Sequence, residues 1–392
     1  MMNTMSSRCK YYIILIFLAV TKSVDAQTPD NFEISGYNEA LPIFISADLP
    51  LPAEKENFFE FRFQNRLNTK WFASETISFT GEMRTRLFTG DFVQNIPFYA
   101  ETIDTDDGFF DFSWMIAEED NWLLHVIPDR LYGEWRTDKW SIRTGRQRVN
   151  WGINLVSNPN DLFNIYSFYD FSYPERPGTD AIRIQHFLGF ASRMELTVSP
   201  GRDAEETVAA FLYAFNTSGY DIQVIGGYFK ERITLGGGWA GNIRQTGFKG
   251  ELMFFHDLTH SESIRKANIV ISASADHMLQ NGLFLVAELL YNQNGGRDNF
   301  SVFGQNLSAD NPSFSRFQFT SYASYSFTPL ISSTLSAIYY PDEDAAFISP
   351  QFTYSLVTDL DFSLISQFFM GSGDSAFANA GTVLSGSLKW NF

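Results

Sequence analysis

The most constraining feature of this chain is a two-residue alternation of apolar and polar side chains that recurs from residue 58 to the C-terminus. Alternation with this period is typical of β-strands that have one face in an apolar medium and the other in a polar medium. An arginine at the centre of a lipid-facing strand would cost about 2–4 kcal/mol, so the charged faces are expected to line a polar interior. The clearest charged positions are Glu60, Arg62, Arg66, Glu82, Arg84, Arg86, Glu134, Arg136, Arg193 and Glu195.

This pattern predicts an all-β protein, in which residues 57–392 form a closed transmembrane antiparallel β-barrel of about 16–18 strands. The final strand ends with Trp390 and Phe392, and the turns and loops are counted back from it. Short turns, as at Thr358–Asp359, alternate with longer connections, as at 293–313, although this rhythm weakens before residue 120. A soluble antiparallel sandwich or propeller would instead turn its arginines and glutamates outward. A barrel of this width encloses water unless it is plugged.

The first 26 residues have the organisation of a cleaved signal peptide. Arg8 and Lys10 precede an apolar segment that is too short to span a bilayer and that ends near the small-residue site Val24–Ala26. The only cysteine, Cys9, leaves with this segment. Residues 27–56 lack periodicity and are predicted to form an irregular N-terminal lead-in. Export combined with a barrel predicts localisation in the outer membrane of a Gram-negative bacterium.

The composition disfavours several classes of protein. Aromatic residues make up 17% of the chain, including 40 phenylalanines, which a soluble protein would have to bury and a lipid-facing barrel can display. The formal net charge of −17 disfavours nucleic acid as a partner. A mature chain without cysteine offers neither a zinc–thiolate site nor a cysteine nucleophile. We therefore expect no cofactor, no bound metal and no enzymatic activity.

The segment 129–183 carries the densest chemistry. It begins as a basic hairpin and continues as a long aromatic loop, residues 152–180, which Pro174 and Pro177 make rigid. Because so much apolar surface is unfavourable in water, the loop is predicted to pack inside the barrel or across its mouth as a constriction. The residues predicted to line this constriction are Arg136, Arg143, Arg146, Arg148, Arg183, Glu134, Asp161, Asp170 and Arg176.

The sequence leaves two interpretations of these arginines, which are compatible with each other. A guanidinium presents a fixed fork of donors to carboxylate or phosphate, so the arginines are candidates for guiding anionic solutes. In the other interpretation they pin the loop to the wall by pairing with carboxylates, namely Glu134, Asp161, Asp170 and Asp180. The alternation also slips between Arg143 and Arg146, which predicts a β-bulge at Gly145.

The stretch Gly145–Phe163, with Asp129–Tyr132 before it, resembles a motif of porin-like outer-membrane proteins of the Bacteroidota. More loosely, the chain is similar to the phosphate-selective and alginate-export porin-like barrels. The resemblance is confined to this part of the chain, because elsewhere only the barrel pattern matches. It implies a large single-chain barrel with passive or selective transport, and it brings no specific substrate.

Three other patterns carry candidate chemistry. The segment His256–Glu262 has two histidines at i and i+4 beside a serine and acids, but it lacks a third strong metal ligand, so a solvated loop is favoured over a metal or hydrolase site. The acidic runs Asp104–Asp107 and Glu118–Asp120 offer oxygen ligands to Ca²⁺ without the spacing of a calcium loop, and solvated clusters are favoured. Gly236–Gly238 does not match a phosphate loop and predicts a bend or close wall packing.

The leading hypothesis is a porin-like outer-membrane channel for passive or weakly selective diffusion of small hydrophilic solutes. The alternative is a plugged barrel with a structural or accessory role in docking or assembly, and a barrel hydrolase is the third hypothesis. The expected partners are outer-membrane lipid, small hydrophilic solutes, the outer-membrane assembly machinery and further copies of the chain in a homo-oligomer. Trp390 and Phe392 are predicted to lie at the membrane interface and to form a C-terminal assembly signal.

Overall fold

The computed structural model describes residues 29–47, 57–165, 167–258, 266–295, 307–371, 373, 375, 377–378 and 380–392. The predicted signal peptide, residues 1–26, lies outside these ranges. Within them, no helix combines the length and the apolar character needed to cross a membrane.

The described residues form nineteen strands and two short helices. The strands are β1 (Phe32–Ser46), β2 (Asn57–Phe72), β3 (Ile77–Gly90), β4 (Trp114–Glu119), β5 (Trp122–Arg136), β6 (Trp140–Gln147), β7 (Thr179–Gly189), β8 (Ser192–Ser199), β9 (Val208–Thr217), β10 (Tyr220–Phe229), β11 (Arg232–Ile243), β12 (Thr246–Asp257), β13 (Ala267–Met278), β14 (Phe284–Asn292), β15 (Phe317–Thr328), β16 (Ile331–Tyr340), β17 (Ala345–Val357), β18 (Leu360–Gly371) and β19 (Thr382–Asn391). The helices are α1 (Asp91–Asn95) and α2 (Tyr99–Ile103).

Eighteen of these strands form one closed antiparallel barrel. Each pairs with its neighbours along the chain, and β1 pairs with both β2 and β19, so that Ile43 lies between Glu60 and Ser385. The remaining strand, β4, stands outside this ring, because β3 pairs directly with β5. The predicted closed barrel of about 16–18 strands is therefore confirmed.

The first strand corrects the prediction for residues 27–56. We expected an irregular lead-in, but β1 occupies Phe32–Ser46 within this segment and pairs along its length with β2. The alternation of apolar and polar residues does not reveal this strand, because apolar residues lie on both of its faces. Leu41 and Ile43 are buried among the inner aromatic residues, whereas Phe44 points outward and is 52% exposed.

The weakened rhythm before residue 120 also has a structural cause. Residues 91–121 form one long connection between β3 and β5, and it contains α1, α2 and β4. Strand β4 pairs with Trp122–Val126 of β5. It uses the same edge of β5 that pairs with β6 at Leu131–Arg136. The connection therefore extends the wall above the short strand β6, and Asp104–Asp107 and Glu118–Asp120 both belong to it.

The two faces of the wall differ as the alternation predicts. On β5, Leu131 and Trp135 are 48% and 41% exposed on the outer face, whereas Glu134 between them is 7% exposed and points inward. At the short-turn end, the backbone of Phe392 exchanges two hydrogen bonds of 2.9 Å with Gly36 on β1. The rings of Trp390 and Phe392, 5.7 Å apart, thus lie at the seam where the barrel closes.

The predicted bulge is displaced from Gly145 to the facing strand. The pairing of β5 with β6 runs through Gly145 without a register shift, although Gly145 has a positive φ of 120°. The shift instead occurs between β3 and β5, where Glu82 faces Arg130 and Met83 faces Pro128. The extra residue is Asp129, and Asp129 and Arg130 are both buried as a result.

Candidate functional site

The long connection between β6 and β7, residues 148–178, enters the barrel, and we name it the constriction loop. Its first part packs into an apolar cluster in which Trp151 and Leu162 meet Met253 and Phe255 of β12. Its later part packs through Tyr169 into a second cluster that includes residues of β1 and of strands β16 to β19. The loop thus packs against the barrel wall, and it extends over residues 148–178, compared with the 152–180 given by the sequence.

Carboxylates from three strands accept hydrogen bonds from the first half of the constriction loop. Glu251 on β12 accepts the backbone N–H groups of Ile153, Asn154 and Asn160 at 2.5, 2.8 and 2.9 Å. Two strands further on, Glu288 of β14 accepts the N–H groups of Val156 and Ser157 at 3.2 and 2.7 Å. On the other side, Glu195 of β8 accepts the indole N–H of Trp151 at 2.7 Å. These acids satisfy loop groups that would otherwise be buried without partners.

Glycine lets the loop approach this wall closely. A Cβ atom on Gly238 of β11 would lie 2.7 Å from Cδ1 of Ile153 and 3.1 Å from the side-chain nitrogen of Asn160. A Cβ atom on Gly152 in the loop would lie 2.5 Å from the side-chain oxygen of Asn158. The close wall packing predicted for Gly236–Gly238 is thus confirmed at Gly238.

The second half of the loop meets a different wall. Four inward arginines on β2 and β3 form what we name the arginine ladder, namely Arg62, Arg66, Arg84 and Arg86. Arg62 donates to Ser172 of the loop at 2.7 Å, and the guanidinium of Arg84 stacks on the Tyr173 ring at 3.6 Å. The Tyr173 hydroxyl donates to Asp129 at 2.5 Å. Here the loop binds through side chains.

Most of the positive charge of the arginine ladder is matched by carboxylates. Arg62 pairs with Glu60 at 2.7 Å, Arg66 pairs with Glu82 and Asp129, and Arg84 reaches Asp129 at 3.2 Å. Arg86 differs, because it donates to Nδ1 of His125 at 3.1 Å. Burial, followed by the neighbouring Asp129, raises the pKa of the Tyr173 hydroxyl, so this group stays protonated as a donor. The Tyr173 hydroxyl therefore adds no charge to the ladder.

A cavity of about 790 Å³ lies between the ladder, the constriction loop and the long-loop end of the barrel. Arg84, Arg86 and Asp129 line one side, and Tyr173 of the loop contributes to another. The remaining charged residues of its lining are Asp106, Asp107, Arg146, Arg202, Glu206 and Lys230. The cavity is thus walled by both signs of charge.

Three of the predicted pore arginines are engaged in ion pairs. Arg146 is buried, binds Asp180 at 3.0 Å and Asp106 at 2.6 Å, and ties the 91–121 connection to β7. The other two bind carboxylates of the neighbouring strand, in the pairs Arg143–Glu134 at 3.1 Å and Arg183–Glu195 at 2.6 Å. These contacts favour the interpretation in which arginines stabilise the wall and the loop.

The other predicted residues are spread over the site. Asp161 is buried, and this burial raises the pKa of its carboxyl to about 7, although Arg148 and Arg176 act to lower it. Asp170 is exposed on the loop, where it binds Ser172 at 2.8 Å. Arg136 is exposed at the short-turn end of β5, 6.0 Å from the Phe187 ring, and therefore lies apart from the rest.

The four arginines of the ladder were predicted to face the interior, but they were absent from the residues predicted to line the constriction. The signal of the ladder was present, because Arg62, Arg66, Arg84 and Arg86 occupy alternate positions in apolar segments. What the sequence lacked was the register that places β2 and β3 beside one another and against the loop. In the structure Arg66 lies directly opposite Arg84.

The geometry around His125 does not fit a base that activates Ser113. Ser113 lies 2.8 Å from Nε2 of His125, and Asp104 approaches the same nitrogen at 3.8 Å. Because an arginine cannot accept a hydrogen bond, the contact with Arg86 makes Nδ1 the acceptor and places the proton on Nε2. His125 therefore cannot take a proton from Ser113. Within the described residues no group of three or more histidines, cysteines or acids is arranged for a metal. Most of the His256–Glu262 cluster lies outside the described ranges.

No protein-family model and no curated protein matches the chain. Among solved structures, OccAB4 of Acinetobacter baumannii has 9% identity and a TM-score of 0.58, with 94% of this chain and 99% of that chain covered. OccAB3 of the same organism has 11% identity and a TM-score of 0.57, covering 93% and 100%. OpdR (OccK11) of Pseudomonas aeruginosa has 10% identity and a TM-score of 0.54, covering 92% and 95%. At these identities the likeness establishes the fold alone, which is a closed antiparallel β-barrel.

Proposed function

We propose that the protein is an outer-membrane channel through which small hydrophilic solutes diffuse passively or with weak selectivity. The observation that carries this proposal is the charged cavity beside the constriction loop. The loop narrows the lumen, and the cavity of about 790 Å³ lies between it and the arginine ladder. The similarity in fold to OccAB4, OccAB3 and OpdR is consistent with this function.

Weak rather than strong selectivity follows from the charge balance. Arg62, Arg66 and Arg84 are matched by carboxylates, so their field is short-ranged in the cavity. Arg86 lines the cavity and binds a histidine, so its guanidinium keeps donors that can meet a carboxylate or phosphate group on a solute. We therefore expect a small preference for anions, with Arg86 as its main source. Arg148 and Arg176 of the loop, predicted from the sequence, are secondary candidates.

Planar-bilayer recording of the purified protein tests this function. We expect discrete conductance steps in KCl and a reversal potential in a salt gradient that indicates a modest anion preference. Folded barrels that give no conductance would contradict the channel and support the plugged, accessory barrel. That alternative has some structural basis, because the loop contacts the wall from β8 to β18 as well as β2, β3 and β5.

The further partners remain predictions. The outward apolar face is suited to outer-membrane lipid, with Phe79, Trp135 and Phe319 among its exposed aromatics. Recognition of the Trp390–Phe392 end by assembly machinery and formation of a homo-oligomer are expectations that bilayer recording does not address. Cross-linking in native membranes tests the second of these.

A further inference from the structure

The convergence of loop N–H groups on Glu251 has a consequence for the channel that rests on the function proposed above. Three backbone donors, from Ile153, Asn154 and Asn160, point at one carboxylate that belongs to the wall. Successive N–H groups that converge in this way form an anion-binding concavity. Here the anion is the side chain of Glu251, which is fully buried.

The same arrangement is repeated two strands away. The carboxylate of Glu288 is 4% exposed and accepts the N–H groups of Val156 and Ser157. Between the two acids, Asn154 bridges to Ser272 and Ser274 of β13 at 2.6 Å each. Residues 153–160 are thus attached to three neighbouring wall segments through a connected polar network.

We propose that Glu251 and Glu288 are the positioning residues that set the aperture of the channel. The carboxyl oxygens of both acids accept backbone N–H groups of the loop, and each acid therefore holds consecutive loop residues at one place on the wall. Both acids are occupied by the loop and are turned away from the solute path. They hold the loop in one place without adding their negative charge to the cavity.

This arrangement also explains how a strongly acidic chain can favour anions weakly. The formal net charge is −17, yet two of its inward acids are covered by the loop. The loop separates these two acids from the cavity, and neither of them belongs to its lining. Arg86 is among the charged residues that a solute meets there.

Single-channel recording of Glu251→Gln tests the proposal. The amide keeps one acceptor oxygen but turns an NH2 group toward N–H donors, so residues 153–160 lose their single position. We expect loss of the single well-defined conductance level, replaced by several levels with excess open-channel noise. Glu288→Gln should give the same change, because it too disturbs the backbone N–H groups that hold the loop.

The matched control is Glu39→Gln. Glu39 is an inward carboxylate of β1 whose partners, Gln64 and Ser387, both belong to the wall. This variant should keep the parent conductance level and noise. Equal noise in Glu39→Gln and Glu251→Gln would show that any inward acid has this effect and would overturn the proposal.

A rescue experiment separates positioning from general loss of stability. In the Glu251→Gln background, the pair Asn154→Cys and Ser272→Cys puts a disulfide in place of the side-chain hydrogen bond between the loop and β13. The only natural cysteine is Cys9, within the predicted signal peptide, so the mature chain offers no competing thiol. Oxidation should restore one conductance level, and reduction should abolish it. A conducting Glu251→Gln channel with parent level and noise refutes this inference alone, whereas a parent protein that never conducts refutes the channel itself.

Discussion

The two halves of the constriction loop are held by opposite means. Residues 151–160 give backbone N–H groups to wall carboxylates on β12 and β14, and the side chains of Trp151 and Asn154 add hydrogen bonds to β8 and β13. Residues 170–176 contact the arginine ladder and Asp129 mainly through side chains such as Ser172 and Tyr173. The first half thus uses many groups that every residue except proline has, whereas the second half depends on groups that only particular residues supply.

This difference separates positioning from contact with solute. Where backbone donors cover the acids, the wall carboxylates are shielded from the lumen. The loop residues there must mainly allow a close approach of the backbone, as Gly152 does. Where side chains meet the ladder, Arg84 and Arg86 still line the cavity. We infer that the first half fixes the aperture and the second half borders the path.

The largest effect is expected from removing the shared acid of the second half. Asp129 is 2% exposed and serves Arg66, Arg84 and Tyr173 together. Breaking a buried ion pair on one side typically costs about 3–5 kcal/mol, so Asp129→Ala should destabilise the barrel by an amount in that range. Urea unfolding in lipid vesicles measures the change. The exposed turn residue Asp138 is the control, and a comparable loss in Asp138→Ala would contradict the assignment.

A smaller effect is expected at the junction of the two halves, and it depends on pH. Burial raises the pKa of Asp161 to about 7, well above its value in an unfolded chain. Its contribution to stability is therefore fully present below about pH 4 and is lost as pH rises through 7, on the order of a few kcal/mol. Asp161→Asn should remove this loss. Unfolding midpoints at pH 4, 5.5, 7 and 8.5 test it, and parallel curves for the two proteins would refute it.

A smaller effect again is expected where the first half approaches the wall. Gly238→Ala places a methyl group 2.6 Å from the carbonyl oxygen of Gly250 on β12 and 2.7 Å from Ile153 of the loop, and overpacking of this kind costs about 1–3 kcal/mol. Gly226→Ala on β10 is the matched control, because its nearest neighbour would be Cδ1 of Leu235 at an ordinary 3.7 Å. Protease protection of the loop measures the difference. Equal protection in the two variants would mean that the loop does not need the space at Gly238.

Much of the fold could be predicted from the sequence because a strand with lipid on one face and water on the other alternates apolar and polar side chains. The alternation predicted the closed barrel and the approximate strand number, and the apolar content of residues 152–180 predicted that the loop packs inward. The alternation missed β1, because at Leu41 and Ile43 its inner face meets aromatic residues and is apolar. Glu251 and Glu288 were not singled out, because their partners lie in the distant loop.

The site was harder to predict because it depends on pairings between distant segments. Arg146 looked like a pore residue, but the connection 91–121 supplies Asp106 as a partner that hairpin spacing does not show. To predict that the four arginines form a ladder, one must know the register in which β2 pairs with β3. To predict its role, one must also know where the loop runs. Local alternation of side chains gives neither the register nor the path of the loop.

The central claim is that solutes pass through the cavity that Arg84, Arg86 and Tyr173 line, and Arg86→Cys tests it most directly. The thiol would be the only one in the mature chain and would line the cavity. During single-channel recording, a negatively charged methanethiosulfonate reagent should react, lower the conductance and shift the reversal potential toward cations. Met194→Cys on the lipid-facing side of β8 should show neither change. Current through Arg86→Cys that is indifferent to the reagent, with labelling confirmed by mass spectrometry, would contradict the account.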